Sequence, residues 1–169
     1  MTAPISVLGD GNVKVSWVTT ITNQTAPSVA ELNNASSVDL SCYLTSDGLT
    51  TGSDEQAVTD DRLCSTQTFE KPGRFSDTLE LMYVYQPQLP SAADNKAFFT
   101  LVHLTTGFIV IRWGKAYAGA YVATTDRVNV MPATCGIQRE QPPEANSVLK
   151  IAQKIWVSGK VNRNVATAV

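Results

Sequence analysis

The residues that could do chemistry are few and scattered. Adjacent carboxylates stand at Asp54-Glu55 and Asp60-Asp61, thiols at Cys42, Cys64 and Cys135, and the sole histidine is His103. Such a set could make a cation site, a thiolate metal site or a general base. The spacing argues against each. Neighbours on a strand point to opposite faces, so paired carboxylates read as solvated charge. Three widely separated cysteines fit neither a disulfide framework nor a zinc pattern, and read as buried or half-buried free thiols. His103 sits beside an apolar helical stripe and reads as a structural histidine. Neither GxxxxGK, GxGxxG nor HExxH occurs, and no basic run or RNA-type aromatic motif supports tight nucleic-acid binding. No catalytic residue, cofactor-binding residue or metal ligand is therefore assigned, and the chain reads as a non-enzyme. The sequence points to assembly.

The elements that would carry such a function are mostly strands. Val13, Val15 and Trp17 alternate with Lys14 and Ser16 after the turn Gly9-Asp10-Gly11-Asn12, which predicts a half-buried strand. Ser28 with Glu31 three residues on predicts a capped helical turn over Val29–Leu32. Val38 to Leu44 alternates as a second strand. Thr45 to Glu55 is Thr, Ser, Gly and Asp rich without periodicity and reads as a long exposed loop. A long hairpin follows over about 58–86, turning at Glu70-Lys71-Pro72-Gly73. Its return arm from Arg74 to Gln86 places Leu79, Leu81, Tyr83 and Tyr85 on one face. Ser91 and Asp94 predict the start of the one substantial helix, about 91–104, with Ala93, Ala97, Phe98, Leu101 and Val102 on one face. Gly107 breaks it, and Phe108–Ile111 forms a core strand. Arg127–Met131 and the C-terminal stretch at about 148–169 are further strands, the uncharged tail Val165–Val169 suiting a sheet edge. No repeat or boundary divides residues 1–169, which read as one domain.

Bulk properties agree with an assembly protein. The chain has 169 residues, 43% hydrophobic and only 17% charged, against about 25% in ordinary soluble proteins. A sparsely charged surface suits coverage by partners. No apolar run reaches the ~18 residues of a membrane span, and the N-terminus lacks a charged-then-apolar signal pattern, so the chain reads as a soluble, unprocessed, cytosolic product without membrane insertion. On that reading the sequons Asn23-Gln24-Thr25 and Asn34-Ala35-Ser36 carry nothing. Up to Asp61 there are eight acidic residues against Lys14 alone, and from Arg62 onward twelve basic against seven acidic. That asymmetry suits head-to-tail association.

Taken in order, PISVLGDGNVKVSWV, SVAELNNASSVDLSCYL, LELMYVY, DNKAFFTLVHLTTGFIVIRWG and KIAQKIWVSGKVNRNVA span nearly the whole chain. This succession resembles the major tail tube proteins of long, non-contractile-tailed bacteriophages, especially those infecting actinobacteria. The resemblance implies a mainly β (α+β), β-sandwich or barrel-like fold with one flanking helix. It implies hexameric rings stacked head to tail into a hollow tube that conducts double-stranded DNA from capsid to host. It further implies a virion-tail protein, assembled in the host cytoplasm, partnered by itself, by a tape-measure protein inside the tube, and by terminator and tail-tip or distal tail proteins at its ends. A lumen that must not grip phosphate should be neutral to acidic, with Asp77, Thr78 and Glu80 as candidate lining residues. Asp47, Asp54 and Glu55 on the loop and Lys71 and Arg74 at the hairpin tip are candidate inter-ring contacts. The alternatives are another tube-forming component of a tail tip or secretion system, and a monomeric β-sandwich module binding through Trp17, Trp113 or Trp156.

Overall fold

Among the described residues, alternating apolar residues and turn-forming breaks build eight strands and two very short helices. In the computed structural model, which describes residues 3, 5–89 and 91–169, these are β1 (Val13–Val18), α1 (Val29–Leu32), β2 (Val38–Asp39), β3 (Leu44–Asp60), β4 (Phe69–Val84), α2 (Lys96–Thr100), β5 (Thr106–Trp113), β6 (Arg127–Glu140), β7 (Lys150–Val157) and β8 (Asn162–Ala166). The strands form one antiparallel sheet in the order β2-β1-β5-β6-β7-β4-β3, with β8 pairing the first half of β6. The mainly β expectation holds.

The sheet is open in its hydrogen bonding but curled in space. Its two edge strands, β2 and β3, are joined by residues 40–43 alone. So short a link spans at most ~18 Å even when extended, so the edges must come near each other. Val15, Trp17, Ile109 and Ile111 from one end of the order accordingly share a core with Leu79, Leu81, Tyr83, Ile151 and Ile155 from the other. Leu40 in the link and Ala97 and Leu101 around α2 plug this barrel-like interior. The alternate residues of β1, β5 and β6 face outward and are covered too: Val18, Val110, Val128 and Val130 pack under Leu32 and Tyr121. This is why β1 is buried on both faces, with Lys14 and Ser16 enclosed rather than solvated.

Ser28 caps α1 with the full box, its hydroxyl accepting from the Glu31 amide while the Glu31 carboxylate accepts from Ser28 N–H. The predicted helix over about 91–104 shrinks to Lys96–Thr100. Asn95, which stands at its N-cap, spends its side chain elsewhere: it bonds Gln86 N–H and the carbonyls of Gln86 and Leu89. Leu101 has already left the helix, and Leu104 takes a positive φ of 66°. Gly107 is no breaker but an interior residue of β5, where a Cβ would lie 2.6 Å from the Trp17 ring. The second predicted strand is reduced to β2, because residues 40–43 turn across to β3.

The largest correction concerns the predicted loop and hairpin. Thr45–Glu55 is not a loop: it lies within the 17-residue strand β3. The hairpin joins β3 to β4 through residues 61–68, so Glu70–Gly73 sits inside β4 and not at the tip. Pro72 is tolerated there because this part of β4 has a strand partner on one side only. Turn-forming composition and a missing apolar alternation imitate loop: only Leu44 and Leu49 at the root of β3 pack on the core, and from Thr51 outward the strand is exposed up to Thr59.

Candidate assembly interface

β7 supports β4 only from Val84 to Leu79, the last pair being Leu79 with Ile155. Beyond that point β3 and β4 continue together, pairing from Gly52–Thr78 out to Asp60–Phe69. They form a two-stranded arm that leaves the body. An extra residue in β4 opposite Glu55–Ala57 bulges it part-way along, and such a bulge bends and twists a ribbon. Exposed apolar side chains stud the arm: Val58 is 54%, Phe69 52% and Phe75 66% accessible, and Leu63 in the connecting turn is fully exposed. An isolated two-stranded ribbon is marginally stable in water, and these bulky apolar groups stand uncovered on it. These four residues were missed in the sequence, although Val58, Phe69 and Phe75 are bulky apolar residues in an otherwise polar run.

The predicted contact residues divide between two places. Asp54, Glu55, Lys71 and Arg74 are all exposed on the arm. Lys71 is committed locally, its ammonium 2.7 Å from Asp60, which Arg62 also engages at 3.1 Å. Those two bonds, Arg62 first, hold the Asp60 carboxyl below its ordinary value. Asp47 stands apart near the start of β3, with Lys150 4.0 Å away. The Thr45 hydroxyl, with a lesser pull from Lys150, keeps its carboxyl low as well.

The predicted lining residues also separate. Thr78 and Glu80 are exposed on the outward face of β4, and Glu80 lies opposite Lys154 of β7. Lys154 and the half-exposed Trp156 share that face, the ammonium 4.0 Å from the indole ring centre. Asp77 points the other way, as alternation demands. Its side chain is 6% exposed and bonded to Arg163 and Ser53, so it is no free surface carboxylate.

The interior holds buried polar groups that tie elements together. Arg112 and Asp126 form a buried ion pair at 2.7 Å, and Lys115 joins the same carboxylate. The Arg112 guanidinium also donates to the carbonyls of Ala116, Gly119 and Ala120, folding the Ala/Gly-rich segment around itself. Tyr83 donates to Gln153 and accepts from Gln138, both at 2.9 Å. Burial raises the Tyr83 hydroxyl pKa far above its usual range and pushes Tyr121 up to about 12. Among the described residues no three His, Cys, Asp or Glu side chains converge as a metal site. Among the described residues no helix is long and apolar enough to cross a membrane. His103, read as structural, is exposed, as are Cys42 and Cys64, while Cys135 is buried. Of the three tryptophans, Trp17 is in the core and Trp113 and Trp156 are half-exposed.

The antiparallel sheet fold has counterparts among known proteins. The family described as "phage tail tube protein" matches residues 1–169. The chain belongs to that family. Two solved structures show the same fold. A chain of the SPP1 tail tube superposes with a TM-score of 0.57 at 14% identity, covering 95% of this chain and 81% of that one. A chain of the anti-feeding prophage baseplate superposes with a TM-score of 0.56 at 9% identity, covering 95% of both. No curated protein matches in sequence. Phage tail tube proteins are structural parts of the virion tail, and the non-enzymatic reading stands with that membership.

Proposed function

We propose that this tail tube protein forms hexameric rings that stack head to tail into the tube of a non-contractile, actinobacteriophage-like tail. In this reading the tube carries double-stranded DNA from capsid to host. A tape-measure protein occupies its lumen during assembly in the host cytoplasm, and terminator and tail-tip proteins close its ends. The observation that carries the proposal is the arm: a ribbon beyond the sheet, exposed on both faces and bearing Val58, Leu63, Phe69 and Phe75. The baseplate neighbour is described as 6-fold symmetrised, which supports six copies per ring. A projecting element that seats on a different surface of the next copy makes a heterologous contact, which closes into rings or extends into stacks.

Within that reading, Asp54, Glu55 and Arg74 on the arm meet the adjacent ring, with Lys71 supporting the arm from within. Asp47 belongs to a separate contact at the base of the sheet. Thr78 and Glu80 face the lumen and Asp77 does not. Lys154 lies opposite Glu80, so this wall is mixed in sign rather than uniformly basic, which suits passage of phosphate without capture.

Electron microscopy of the purified protein over a concentration series tests the proposal. Rings or hollow tubes of uniform bore are the expected result. A particle that stays monomeric at every concentration, and on addition of isolated tail tips, would overturn it and favour a monomeric binding module.

A further inference from the structure

Beyond Leu79 the arm has lost β7, and β8 has swung away to pair with the first half of β6. Side chains bridge the gap. Arg163 of β8 reaches across, its Nη2 2.5 Å from Asp77 Oδ1 and 3.4 Å from Ser53 Oγ. Ser53 donates to the same carboxylate oxygen at 2.6 Å. Since Ser53 and Asp77 are register partners, one carboxylate ties together both strands of the ribbon at its root. Gly52 lets the strands close here, because a Cβ there would lie 2.8 Å from the Thr78 hydroxyl oxygen.

The backbone that presents Arg163 is itself pinned. Its neighbour Asn164 adopts a positive φ of 53°. Asn164 is held from β6 on both sides: its N–H donates to Asn129 Oδ1 at 2.8 Å, and its carbonyl accepts from Arg127 at 3.1 Å. Further on, Thr167 and Ala168 bond the backbone of Asp126 and Pro27. β8 is thus fastened to the body along its length, and the arm is fastened to β8 at one point.

We propose that Arg163 is the positioning residue of the arm. By clamping Asp77 and Ser53 to the anchored C-terminal strand, it sets the direction in which the ribbon leaves the body. The consequence for stacking rests on the tube reading; the clamp itself does not. A charge-assisted bond to a nearly buried carboxylate is among the stronger polar contacts available, and it replaces the sheet support that β7 no longer gives.

Hydrogen exchange on the free subunit tests this. Arg163→Ala and Asp77→Asn should each speed exchange of arm-root amides, residues 51–55 and 75–79, by about tenfold, as local opening without global unfolding does. Amides of β5 and β6 should keep wild-type rates. Arg163→Lys should recover part of the protection, since a lysine keeps the charge but not the fork. Unchanged arm-root exchange in Arg163→Ala would overturn the clamp. So would an increase spread evenly over the body, which would make Arg163 a general stabiliser. In tubes, Arg163→Ala should slow growth and leave stacks bent or irregular when viewed by electron microscopy. Failure of the wild type to form tubes would overturn the functional reading while leaving the exchange result intact.

Discussion

At the scale of single residues, the buried charges and thiols make the sharpest expectations. Asp126 is fully buried. Burial pushes its carboxyl up, but Lys115, Arg112 and the Val122 amide more than offset this and hold it below its ordinary value. Its stabilising contribution is therefore complete above the unfolded carboxylate value near pH 4 and is lost as pH falls through the lower folded value. Asp126→Asn strands the Arg112 charge and should cost about 3–5 kcal/mol at neutral pH, with a flatter acid limb, measured by urea unfolding at several pH values. Cys135 is buried, and burial pushes its thiol up to about 12, whereas Cys42 and Cys64 are exposed. A thiol reagent should titrate two cysteines in the native subunit and the third only on unfolding. Little of this was legible in the sequence. Arg112 and Asp126 are 14 residues apart in no shared period, and they meet because the β5–β6 hairpin sets Arg112 opposite Val128, close to Asp126, which just precedes β6. The expectation that all three thiols hide failed because Cys42 lies in a turn and Cys64 in the arm's end, where no sheet face covers them.

Elements were read best where one face meets the core. The alternation of Leu79, Leu81 and Tyr83 and the Ser28–Glu31 box predict what forms, because burial and capping leave a periodic mark; the β1 alternation gives the strand but not the covering of its second face, where Lys14 and Ser16 are enclosed. The arm leaves no such mark, so the Thr45–Glu55 part of β3 reads as loop and the turn at Glu70–Gly73 falls later in the chain than the observed one at residues 61–68. α2 was overestimated because an apolar stripe does not reveal that Asn95 serves another segment. The arm's independence from the core gives its own expectation. Replacing residues 54–76 with a tight Asn-Gly turn should shift the unfolding free energy of the body by no more than about 1 kcal/mol, since almost no core contact is lost. The same variant should form neither rings nor tubes by electron microscopy. A variant that still builds tubes of normal spacing would remove the arm from the assembly contacts.

For the whole molecule, the order of features along the chain was enough to place the family, though not the sheet topology. A strand order in which β2 and β3 lie at opposite edges yet are consecutive in sequence has no local signature. Only the curl that brings those edges near each other follows from how far residues 40–43 can reach. The separation of Asp77 from Thr78 and Glu80, by contrast, is local, since it is the two-residue alternation of β4 itself. If the outward face of β4 lines the bore, Glu80→Lys leaves Lys154 without its opposite charge. Phage carrying that change should assemble tails of normal length yet eject DNA more slowly, with the defect relieved by added salt. Ejection at the wild-type rate at low salt would move the lumen to another face.

The root of the ribbon is clamped, but its outer length is a pair of strands with no third partner, and holding it in one shape costs conformational entropy. A subunit joining an existing end finds a template that repays this ordering at once, while the first subunits to meet must fix their ribbons with few contacts in return. On the proposed tube reading, growth is expected to be nucleated. Light scattering should show a lag that shortens with concentration and vanishes when preformed tube fragments are added, and a free pool should persist below a critical concentration. Where along the tail polymerisation begins is then decided by whichever complex first offers a finished seat for the ribbon.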